Sequence, residues 1–92
     1  MSEINELDAQ FAQAQADVKE LPERPGNLTL LRLYALYKQA SLGDAQGDKP
    51  GFTDIAGKYK YDAWAALAGT PQDTAKLQYA GLVDSLKSGA SA

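Results

Sequence analysis

Apolar residues recur with helical period along most of the chain. Leu7, Phe11, Ala14, Val18 and Leu21 follow one another at alternating steps of four and three. That spacing marks one face of an amphipathic helix, and Ile4 extends it backward by a turn. Gln, Asp, Glu and Lys fill the opposite face. "LPERPGN" ends the pattern, because Pro22 and Pro25 do not fit a helix interior and disfavour α geometry in the residue before them. A second helix is expected from Asn27, the candidate N-cap, to Leu42, with Gly43 following in left-handed geometry.

"GDAQGDKPGFT", residues 43–53, reads as a loop of unusual length, and such loops are often functional. A third helix is expected over 54–68. Its apolar side is Tyr61, Trp64, Leu67 and Ala68, and Gly69 closes it. "GTPQD" opens the fourth: Thr70 caps, Pro71 takes the first helical position and Asp73 faces the positive end of the dipole. Ala75, Tyr79, Leu82 and Leu86 carry its stripe. "SGASA" reads as a frayed end, as do residues 1–3. No segment has strand character. The fold class is all-α, a four-helix bundle with a long loop between helices 2 and 3.

Composition narrows the chemistry. The 92 residues make one domain, 1–92, with room for one core. There is no Cys and no His. Disulfides, thiolate nucleophiles, Cys/His zinc sites and His-based triads are therefore excluded. Net charge is −3 and the pI about 4.7, which disfavours general nucleic-acid binding. "MSEINELDAQ" is unlike a signal peptide, and no apolar run is long enough to span a bilayer. A cytoplasmic protein without stable membrane insertion is expected.

"LRLYALYKQASLGD", residues 31–44, needs closer reading. At about 100° per residue, the second helix carries two apolar sectors. Leu33, Leu36 and Ala40 form one, enough for a core. Leu30, Leu31, Tyr34 and Tyr37, with Lys38, form the other. These could be boundary residues with wet hydroxyls and a snorkelling lysine. They could equally face a ligand that is both apolar and anionic. "KYKYDAW" poses the same choice, with Lys60 and Trp64 one turn apart.

Catalytic motifs fail on inspection. Tyr34 and Lys38 have dehydrogenase spacing, but no G-x-G-x-x-G follows a strand. "GDAQGDKPG" lacks P-loop spacing, and an EF-hand loop counted from Asp44 would need Glu where Ile55 stands. No constellation supports acid–base or nucleophilic catalysis.

Taken together, "YALYKQASLGD", "KPG" and "GKYKYDAWAALAGT" closely resemble the acyl-CoA-binding protein family. The likeness runs without gaps from about Leu7 to Lys87. It implies an up-down-down-up helix arrangement, no catalytic activity and no cofactor. It also implies one medium- to long-chain acyl-CoA thioester per monomer. By position, Tyr34, Lys38 and Lys60 would bind the 3′-phosphate and Tyr37 would lie against the adenine. Lys19 and Tyr79 would complete the head-group site, and Leu30 and Leu31 would line the acyl path. The implied role is an intracellular carrier and pool-former with transient contacts to acyl-CoA-using enzymes. Two residues depart from the pattern: Tyr61 replaces a Trp, and Gln15 a small residue. A competing reading is a protein-interaction module whose groove of Leu30, Leu31, Tyr34 and Tyr61 takes an amphipathic helix.

Overall fold

The computed structural model describes residues 5–47, 49–51 and 53–89. They form four helices: α1 (Glu6–Val18), α2 (Asn27–Leu42), α3 (Ile55–Ala65) and α4 (Gln72–Lys87). Ile4 and the outermost terminal residues lie outside the described segments.

Local chemistry sets the boundaries. Asn5 caps α1, its side-chain oxygen accepting the Leu7 N–H at 2.7 Å. The helix ends at Val18, a turn before Leu21, and tightens through Lys19 N–H to Ala16 O and Glu20 N–H to Asp17 O. Such three-residue closures satisfy carbonyls that a helix running into Pro22 would leave open. Asn27 is the first residue of α2 rather than its cap. Gly26 occupies the cap position without a side-chain bond. Gly43 has φ 82° and ψ −151°, outside the left-handed helical basin and open essentially only to glycine.

α3 is shorter than its periodicity suggests. Asp54 is its cap and accepts the Gly57 N–H at 2.9 Å. Residues 66–68 form a tight turn instead of a last helical turn, with Leu67 N–H bonded to Trp64 O and Ala68 N–H to Ala65 O. At α4 the cap falls on Pro71, not Thr70. Proline suits the cap because the N–H it lacks has no helical partner there. The Thr70 carbonyl is used elsewhere, as an acceptor for Gln39.

Pairwise contacts give the topology. Lys76 pairs with Asp8 at 2.6 Å and Lys87 with Asp17 at 3.0 Å, so α1 and α4 run parallel. Gln39 reaches Thr70 O and Gln72 reaches Ala40 O, which joins the end of α2 to the start of α4 and makes them antiparallel. Lys38 lies over Trp64 and Lys60 over Tyr34, so α2 and α3 are parallel. The order is up-down-down-up, and the long α2–α3 connection follows from it. Two parallel neighbours require the chain to return the full length of a helix.

α2 and α4 form the central pair, with α1 packed on α4 and α3 on α2. The core is Phe11, Ala14, Leu33, Leu36, Ala40, Ala75, Tyr79 and Val83. Val83 is the buried residue in its part of α4, and Leu82 and Leu86 pack against it from the edge. Full burial of a residue such as Leu36 contributes about 1.5–3 kcal/mol. α3 adds little to this core. Trp64 anchors it, its indole N–H donating to Gly43 O at 2.8 Å. Tyr61 O–H to Gly47 O at 3.1 Å and Lys49 to Asp62 at 2.8 Å tie the loop to the same helix.

Candidate functional site

The sector of α2 opposite the core meets α3 at a pair of cations. Lys38 Nζ lies 5.8 Å from the Tyr34 ring centroid and Lys60 Nζ lies 5.4 Å from it. One ring thus has two ammonium groups, from two helices, within about 6 Å of its centroid. Among the described residues no carboxylate pairs with either lysine. Ring quadrupole attraction offsets part of their mutual repulsion. An anion between them would relieve the rest. Lys38 also lies 5.4 Å from the Trp64 ring. The lysine beside this tryptophan therefore comes from α2, and Lys60, a turn away on the same helix, turns to Tyr34.

An apolar groove begins at Lys60. Its volume is about 600 Å³ and its lining includes Leu30, Leu31, Ala56 and Tyr59, with Arg24 at its rim. Leu30 and Leu31 therefore stand where the sequence places them. Arg24, Ala56 and Tyr59 escaped sequence reasoning. Arg24 sits in an irregular segment, and Tyr59 falls outside the α3 stripe. The aromatic residue on the groove is Tyr59 and not Tyr61, whose hydroxyl is held by Gly47.

On the other side of the cations lies an aromatic group. Tyr37 is 38% exposed, and its ring centroid is 6.1 Å from Phe11 and 6.5 Å from Tyr79. Phe11 and Tyr79 meet edge to face at 5.2 Å. Tyr79 is only 5% exposed, so its ring is core first. Burial pushes its phenol pKa up, and the neighbouring Tyr37 adds to that. Tyr37 is left with an open face above a rigid base, a shape suited to stacking. Lys19, the C-cap of α1, is exposed, and no hydrogen bond or ion pair joins its side chain to this group. Gln15 bonds back to Phe11 O at 3.4 Å, which directs its amide along its own helix.

A buried polar knot holds the end of α2. Gln39 is 0% exposed, and its amide nitrogen donates to Asp44 Oδ1 at 2.9 Å and Thr70 O at 2.8 Å. Two acceptors fix the amide orientation, since the reverse would place its oxygen against a carboxylate. Asp44 also accepts the Gly69 N–H at 2.9 Å. The Gln39 bond, then that of Gly69, holds the Asp44 carboxyl below the usual carboxylate range. This knot fixes the base of α2 against the α3–α4 turn.

A hydrocarbon groove, a cation pair and a stacking face on adjoining turns of α2 suit an amphiphilic anion. Comparison with known proteins specifies the class. The family model described as Acyl CoA binding protein matches residues 8–83, and the chain belongs to that family. The Acyl-CoA-binding protein of Saccharomyces cerevisiae is 45% identical over 83% of this chain and 87% of its own length. Enoyl-CoA delta isomerase 2 of Rattus norvegicus is 49% identical over 89% of this chain, which spans only 21% of that protein. The crystal structure of Oryza sativa Acyl-CoA-Binding Protein 2 superposes with a TM-score of 0.86 at 34% identity, covering 90% of this chain and 92% of the other.

Proposed function

We infer that the protein binds a medium- to long-chain acyl-CoA thioester non-covalently and serves as a carrier and pool-former, without catalysis of its own. The observation that carries this is the convergence of Lys38 and Lys60 on Tyr34 at the head of an apolar groove. A helix-binding groove would not need a phosphate grip. Tyr34, Lys38 and Lys60 take the 3′-phosphate. Tyr37 stacks on the adenine, with Tyr79 and Phe11 as its support. Leu30 and Leu31 guide the chain, and Lys19 reaches the head group from the end of α1. Lack of Cys and His in the sequence supports a non-enzymatic role.

The energetics require both halves of the ligand. Charge-assisted bonds contribute about 1.5–3 kcal/mol each. Stacking adds about 1–3 kcal/mol, and ten buried methylenes at most about 8 kcal/mol. Association costs about 4–15 kcal/mol. CoA alone and fatty acid alone therefore bind far more weakly than the joined ester. Calorimetric titration with palmitoyl-CoA, its 3′-dephospho form and palmitate tests the reading. Strong binding of the first, weaker binding of the second and weakest of the third is expected. No heat with palmitoyl-CoA overturns the function, and equal affinity for the first two overturns the phosphate assignment.

The protein is read as a cytoplasmic monomer that meets acyl-CoA-using enzymes transiently. No helix among the described residues is long and apolar enough to cross a membrane. The chain is read as one domain, residues 1–92, and the family match covers residues 8–83 of it.

A further inference from the structure

A second apolar groove runs along the α2–α3 seam. Its volume is about 340 Å³, and Ala35, Leu36, Ala63 and Leu67 line it, with Arg32 and Gln78 at its edge. Leu28 and Leu31 line both this groove and the one that begins at Lys60. Leu28 is 83% exposed. A large apolar side chain left in water, on the ridge between two apolar grooves, is an unmet demand for hydrocarbon.

We propose that the second groove takes the distal end of long acyl chains, which cross from the first groove over the Leu28–Leu31 ridge. The proposal rests on the acyl-CoA reading and adds the determinant of chain-length preference. Shared lining argues for one continuous occupant. Leu28, so exposed, swings aside at little packing cost. Ala35 and Ala63 keep the floor open, because larger side chains there would fill it. Arg32 does not oppose a hydrocarbon, since its stem covers apolar surface while its guanidinium stays in water. Shorter chains end within the first groove and never reach Ala63.

The test uses octanoyl-, palmitoyl- and arachidoyl-CoA against the wild type, Ala63→Leu and Gln78→Trp. These substitutions fill the second groove from α3 and from α4, and Gln78 is exposed, so the second variant keeps the fold if the first does not. Each methylene withdrawn from water tightens binding about four-fold. The wild type should gain affinity through arachidoyl-CoA. The variants should bind octanoyl-CoA unchanged and lose about ten-fold or more for arachidoyl-CoA, roughly two methylenes returned to water. Unchanged arachidoyl affinity in both variants, or equal losses for all three esters, overturns the proposal. A separate second site for palmitate in the palmitoyl-CoA complex, abolished by Arg32→Ala, also overturns it. Failure of the wild type to bind any ester removes the functional reading itself, a result distinct from these.

Discussion

Tyr34, Lys38 and Lys60 show what single residues do here. The two ammonium groups face rings rather than carboxylates, and only Lys38 meets a buried one, that of Trp64, so their removal should cost binding far more than stability. Lys38→Ala should weaken palmitoyl-CoA binding by about 10- to 150-fold, equivalent to one charge-assisted bond of about 1.5–3 kcal/mol. Tyr34→Phe should cost about ten-fold or more, because its hydroxyl also donates to the charged phosphate. Calorimetry and a melting curve on each variant check both statements. A large fall in melting temperature would return these residues to the core. Gln39 is the opposite case. Gln39→Leu leaves Thr70 O without its side-chain donor and Asp44 with the Gly69 N–H alone, and should cost about 1–3 kcal/mol. At this chain length that lowers the melting temperature by roughly 4–20 °C.

Among the elements, α2 is the one with two working faces, and its C-terminal end is the joint on which the site depends. Asp44 ties that end to Gly69 and Gln39, and its carboxyl pKa is lowered. A depressed acid contributes stability above its unfolded value, about 3.9, and loses it as pH falls through the folded value. The wild type should therefore weaken on the acid side below about pH 4. Asp44→Asn should show a flatter acid limb together with lower stability at neutral pH. Denaturant midpoints measured across that range decide the matter, and identical acid limbs would remove Asp44 as a contributor. α3, by contrast, packs on α2 and is anchored by Trp64 and two loop ties. Its Lys60 is positioned by that packing on α2 rather than by the α1–α2–α4 core.

At the scale of the whole molecule, the proposed site draws residues from all four helices, so ligand binding and folding should be linked. A ligand that binds only the folded state, at a hundred times its dissociation constant, stabilises by about 2.7 kcal/mol. Palmitoyl-CoA should then raise the melting temperature by roughly 10–20 °C, and CoA at equal concentration far less. Scanning calorimetry compares them directly. Equal shifts would mean that the hydrocarbon groove contributes nothing.

The sequence by itself determined helix number, approximate bounds and the α2 core face, because those follow from local periodicity and from prolines and glycines. It also marked Leu30, Leu31, Tyr34, Tyr37 and Lys38 as a second face, since a helix fixes neighbours three and four apart. Cap identities at Gly26 and Pro71 were off by one residue, because propensity weighs the residue alone and not the backbone it meets. Only the tertiary structure brought Lys60 to Tyr34, put Lys38 over Trp64, turned Tyr61 to the loop and Tyr59 to the groove, and recruited Arg24. Those are long-range juxtapositions set by two parallel helices and the loop between them, and periodicity carries no record of which partner a face will meet.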